Sequence, residues 1–138
     1  AVDNGLEIGL CCCSPSRRML VFAGARMDLY HAGTDGVGRI AGDRQAIGYR
    51  RSDPSYAYTN RPMTVTEGIT FYLASDGILD QCGGARGWGF GRKRFNELLA
   101  GISSLPAAEQ QAVIERELAA YRGSHPQRDD ITVIGFRF

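Results

Sequence analysis

Apolar positions alternate with polar ones over the first half of the chain and repeat every three to four residues over much of the second. Leu6, Ile8 and Leu10 alternate with Glu7 and Gly9, the pattern of a half-buried strand. CSPSRR, residues 13–18, reads as a turn. MLVFAGARMDLYHAG, residues 19–33, reads as two extended segments broken at Gly24, and GTDGVGRIAG, residues 33–42, as a turn-rich hairpin connection. SYAYTNRPMTV, residues 55–65, alternates again, with Pro62 marking an edge or a bulge. Gly68 punctuates before ITFYLAS, residues 69–75, an apolar run of strand length. Phe95, Leu98, Leu99 and Ile102 then fall on one helical stripe. Ile114, Leu118 and Tyr121, with Val113 beside them, predict a second helix that starts near Pro106 and stops at Gly123. SHPQRDD is a polar loop. ITVIGFRF, residues 131–138, is apolar on both faces and predicts a strand covered on both sides. Many strands, two helices and one last strand predict an α+β domain with an antiparallel sheet and helices on one face.

Composition narrows this picture little. A length of 138 residues allows one domain with a real core. The net charge of +1 gives no support to nucleic-acid or membrane-surface binding, and no apolar run approaches the length of a membrane span. The chain opens at Ala1 rather than Met, as a piece of something longer does, so an upstream anchor or targeting signal is expected. Cys11, Cys12 and Cys13 are consecutive. Neighbours on a strand point to opposite faces, which suits neither a disulfide nor shared metal ligation. They read as small apolar residues in a reducing cytoplasm.

Candidate chemistry sits at two strand ends. Asp76 follows one apolar strand, and Asp129 and Asp130 precede another. If the two strands are antiparallel neighbours, these ends meet. Clustered carboxylates repel and lose hydration, and a hard divalent cation removes both penalties. Gly77 lets the backbone turn sharply beside such an ion. The same residues also suit plain turns, since Asp-Gly is a common turn dipeptide.

FYLASDGILDQ, WGFGRKRFNELL and QRDDITVIGFRF, in that order, resemble the C-terminal part of the metal-dependent (type 2C-like) protein phosphatases, in the branch of stage II sporulation protein E. VFAGARMDLYHAG and DNGLEIGLC resemble upstream strands of that branch. The resemblance implies two antiparallel sheets face to face with helices outside, and one partial phosphatase domain over residues 1–138. It implies two Mn²⁺ or Mg²⁺ ions, about 4 Å apart, with Asp76 and Asp129 as ligands acting through the bound metal. Asp130 would shape the loop, and Asp80 would stand near the ions or simply stabilise the turn. The implied reaction is hydrolysis of phosphoserine or phosphothreonine by a metal-activated water, with no side-chain nucleophile. The implied partner is a phosphorylated, anti-anti-sigma-like regulator. The implied setting is cytoplasmic, as the output domain of a longer membrane-anchored sensor. The rival reading is a phosphatase-like interaction domain without turnover.

The chain departs from the family pattern at its start. The family's first metal-binding aspartate and the Asp-Gly/Gly-His element after it have no counterpart, and Asp3 and Asn4 lie too near the start to replace them. The expectations are weak metal binding by residues 1–138 alone, readable by calorimetric titration with Mn²⁺, and exposed strand edges that invite homodimerisation. GRKRF, residues 91–95, reads as a solvated first helical turn. Trp88 and Phe90 form either a substrate-docking flap or a cap on the core. His31 and His125 carry no chemistry, and GDRQAIGYR, residues 42–50, is a loop that in relatives lies near the sheet rim.

Overall fold

A computed structural model describes residues 4–138, so Asp3 lies outside the described residues. Two antiparallel sheets pack face to face, and the helices cover one of them. Strand β1 (Ile8–Ser14), β2 (Met19–Ala25) and β5 (Arg61–Thr64) form a three-stranded sheet in the order β1-β2-β5. Strand β3 (Leu29–Gly33), β4 (Gly36–Ile40), β6 (Thr70–Ala74) and β9 (Val133–Phe136) form a four-stranded sheet in the order β4-β3-β6-β9. Pro62 lies on β5, an edge strand of its sheet, where a missing N–H costs no ladder bond.

The four-stranded sheet is buried on both faces at its centre, which is why β6 reads as a continuous apolar run. Phe71 and Leu29 point into the space between the sheets, where they meet Leu20, Phe22 and Val65. Tyr72, Tyr30 and Ala32 point the other way, against Ile78, Phe95, Leu99 and Ile102. Leu20, Phe22, Leu29 and Phe71 have no exposed surface, and each such side chain contributes about 1.5–3 kcal/mol. The two long helices, α2 (Gly91–Ile102) and α3 (Ala107–Arg122), supply that second layer. Pro106 and Gly123 bound α3 as the capping preferences predict.

Several local expectations change. The first strand begins at Ile8, not Leu6, and runs through all three cysteines to Ser14, so the turn after it is only the 3₁₀ segment Pro15–Arg17 and Arg18. Cys12 and Cys13 are exposed rather than buried. Gly24 does not break the chain. It lies inside β2, where a Cβ would run into the Met27 carbonyl, and the break falls at residues 26–28 with Arg26 at φ 54°. The presumed connection at 33–42 holds a full strand, β4, because only Thr34 and Asp35 form the turn. Strand β9 is not covered on both sides. It is an edge strand, and Ile134, opposite Leu73 on the inter-sheet face, stays 54% exposed. Its apolar pattern shows what it could bury, whereas on this face Phe136 packs against the inter-sheet core and Ile134 does not. A short helix α1 (Asp76–Asp80) and a hairpin of β7 (Cys82–Gly83) with β8 (Trp88–Gly89), both absent from the periodicity, link β6 to α2.

Candidate metal centre

Strands β6 and β9 are antiparallel neighbours, with Ala74 opposite Val133. The end of β6, carrying Asp76, therefore lies at the same rim as the start of β9, carrying Asp129 and Asp130. The junction is stitched beyond the ladder. Ser75 N donates to the Thr132 carbonyl at 2.9 Å. Ser75 Oγ donates to the Asp130 carbonyl at 3.1 Å and accepts from Thr132 N at 2.9 Å. Gly77 is buried, and a Cβ there would run into the Asp130 carbonyl. A side chain of any size at 77 would hold α1 away from the loop that carries the second carboxylate.

Asp76 opens α1 and Asp80 closes it, one turn apart on one helical face. Both are exposed, as are Asp129 and Asp130. Asp129 Oδ1 accepts from Asp130 N at 2.7 Å, and its carbonyl accepts from Gln127 Nε2 at 2.9 Å, so the loop is closed by its own side chains. Gln81, 1% exposed, donates to the Pro126 carbonyl at 3.1 Å and ties the end of α1 to the same loop. The hairpin β7–β8 is anchored in turn by Tyr121, whose hydroxyl donates to the Trp88 carbonyl at 2.7 Å. Phe90 is a core residue, edge-on to Tyr121, while Trp88 is 61% exposed with Arg86 stacked over its ring.

The donor chemistry is all oxygen, as a hard divalent cation requires. Among the described residues no group of three or more His, Cys, Asp or Glu side chains is arranged to hold an ion. Asp76 and Asp129 supply oxygen donors of the type such a cation takes, but they do not by themselves form a metal-holding group, and Gly77 gives the close approach of the two segments. Residues that sequence reasoning left without a role, Ser75 and Gln81, are the ones that join the segments. Ser75 carried a signal in the Ser-Asp-Gly triplet, and Gln81 carried none.

A family model described as Stage II sporulation protein E (SpoIIE) matches residues 8–138. The chain belongs to the SpoIIE family. Its fold is that of the PP2C-type phosphatases, a family of metal-dependent serine/threonine phosphatases. The SiaA-PP2C domain of Pseudomonas aeruginosa is 42% identical with a TM-score of 0.85, over 94% of this chain and 50% of that one. The phosphatase domain of the cell fate determinant SpoIIE from Bacillus subtilis has the same fold at 15% identity and a TM-score of 0.64, over 95% of this chain and 57% of its own. RsbX in complex with magnesium shares that fold at 15% identity and TM-score 0.64, over 95% of this chain and 55% of its own. No curated protein sequence matches the chain. The chain spans about half the length of the solved domains it matches.

Proposed function

We propose that the polypeptide carrying this SpoIIE-family chain is a protein serine/threonine phosphatase that uses Mn²⁺ or Mg²⁺. The observation that carries the reading is the β6–β9 register, which brings the Asp76 end and the Asp129 end to one rim. Asp76 and Asp129 would hold the ions jointly with further ligands. When bound, the ions supply a water of lowered pKa and neutralise charge on the phosphoryl oxygens. Ser75 and Gly77 keep the two carboxylate-bearing segments in contact. Asp130 contributes its carbonyl to that contact, and Asp80 stands one turn from Asp76. The substrate in this reading is a phosphorylated, anti-anti-sigma-like regulator met in the cytoplasm. Family membership is what supports that choice.

The test is hydrolysis of p-nitrophenyl phosphate and of a phosphoprotein by the full-length gene product, with Mn²⁺ titrated. Asp76→Asn and Asp129→Asn should each lower kcat/KM by at least about a hundredfold and weaken Mn²⁺ binding. Activity that survives both substitutions removes the proposal. Tight binding of a phosphoprotein without turnover by the unaltered protein supports the interaction-domain rival instead.

A further inference from the structure

The rim that carries the carboxylates continues across the sheet to a cluster of guanidinium groups. Leu29 pairs with Leu73 on one side and with Ile40 on the other. The start of β3 and the end of β4 are therefore at the same edge as Asp76 and Asp129. An open pocket of about 450 Å³ lies there, lined by Arg26, Arg39 and Arg44 above Asp28 and Asp43.

The two carboxylates of this pocket are already engaged. Asp28 accepts from Gly42 N at 3.0 Å and from Arg39 NH1 at 2.7 Å. Asp43 is nearly buried and accepts from Thr59 N at 2.7 Å, Thr59 Oγ1 at 3.1 Å and Arg61 NH2 at 3.4 Å. Of the three lining arginines, Arg39 is paired with Asp28, and Arg26 and Arg44 are less fully engaged. Arg26 pairs with Glu7 at 3.2 Å while remaining 58% exposed, and Arg92 of α2 stands 4.0 Å from Asp28. Among the described residues Arg44 makes no hydrogen bond and no ion pair. Four guanidiniums, of Arg26, Arg39, Arg61 and Arg92, contact three carboxylates, of Glu7, Asp28 and Asp43, and Arg44 lines the pocket without an ion pair, so these groups together carry an excess of two positive charges. The floor is rigid. Arg26 N donates to the Asp43 carbonyl and Asp43 N to the Gly24 carbonyl, both at 2.8 Å, and a Cβ on Gly42 would run into the Met27 carbonyl. That backbone fixes where the arginine side chains begin, and of the three only Arg39 is held at its guanidinium by a short bond, to Asp28.

We infer that the Arg26–Arg39–Arg44 pocket docks an acidic side chain flanking the phosphorylated residue of a protein substrate. The inference rests on the phosphatase reading of the neighbouring rim. Measured from between β6 and β9, where the two carboxylates stand, β3 and β4 lie one and a half and two and a half strand spacings away, a lateral offset of roughly 7–12 Å. An extended peptide advances about 3.3 Å per residue. A phosphoryl group at Asp76 and Asp129 therefore puts a residue roughly two to four positions away over the pocket. A carboxylate there meets guanidinium donors, which bind oxyanions with short, charge-assisted hydrogen bonds.

The test uses the full-length gene product and phosphothreonine peptides with Glu or Gln two, three or four positions to either side. Binding is read by fluorescence anisotropy and turnover by phosphate release. The Glu peptide on the favoured side should bind about tenfold more tightly than its Gln counterpart. In Arg44→Glu that preference should invert toward a Lys-flanked peptide, which mere loss of fold cannot produce. Arg26→Gln should narrow the Glu–Gln ratio as well. Equal affinity for Glu and Gln peptides, or an unaltered preference in Arg44→Glu, overturns the inference. Turnover of p-nitrophenyl phosphate without flank selectivity sinks the pocket and leaves the phosphatase. Flank-selective, Arg44-dependent binding without any turnover does the reverse.

Discussion

Replacing Gly77 by alanine tests the junction on which the site depends. The added Cβ would overlap the Asp130 carbonyl oxygen, sit 3.0 Å from its carbon and 3.3 Å from Ile131 Cγ1. The first two are backbone atoms, pinned by Ser75 Oγ on the carbonyl and Ser75 N on Thr132. They cannot move aside as a flexible side chain would, so either α1 or the 129–131 loop must shift. Overpacking of this kind costs about 1–3 kcal/mol. A loss of about 2 kcal/mol lowers the melting temperature of a domain this size by on the order of 10 °C. Gly101 provides the control. It is exposed within α2, and nothing lies within 4 Å of a Cβ built there. Gly101→Ala should therefore stabilise by about 0.5–1 kcal/mol through helix propensity. Urea denaturation of the two variants beside the parent reads both signs. Phosphatase activity of Gly77→Ala, measured well below its melting temperature, should fall further than its folded fraction, because the two carboxylate-bearing segments are pushed apart. If Gly77→Ala is as stable as the parent and equally active, the close approach of α1 to the loop is not a feature of the protein.

Three other outcomes follow from buried Tyr72 and half-buried Cys11. Tyr72 donates to Gln110 Oε1 at 2.8 Å deep in the helix–sheet core, so Tyr72→Phe should cost about 1–2 kcal/mol. Burial raises the Tyr72 pKa above its ordinary 10, against smaller opposing effects of Thr70 and Arg137. Above pH 10 the unfolded chain thus releases this proton before the folded one does, so stability falls as pH rises from there. Denaturation curves from pH 8 to 11 should show that component in the parent and not in Tyr72→Phe, and identical slopes in both would refute it. Cys11 is pushed from 9.0 up to about 11, first by burial and then by Cys13. Its thiolate at pH 8 is about a hundredfold scarcer than in an ordinary thiol. Alkylation followed by mass spectrometry should modify exposed Cys12 well before Cys11, and equal labelling counts against the β1 placement.

What the sequence determined by itself is local and chemical. The stripe of Phe95, Leu99 and Ile102 specified α2, Pro106 and Gly123 marked the ends of α3, and the apolar run before Asp76 specified β6. Ser-Asp-Gly and Asp-Asp-Ile-Thr pointed to the SpoIIE family. Each is a matter of residue type and short-range period. Only the tertiary structure decided that β6 lies beside β9 with Ala74 opposite Val133, and that β9 is an edge with Ile134 exposed. It also decided that Gly24 sits inside a strand and that Arg26, Arg39 and Arg44 share one pocket. Strand order and register follow from contacts between residues far apart in the chain, whose energies depend on everything else packed around them. Local periodicity carries no record of those partners, so it could name the carboxylates and not the neighbours that gather them at one rim.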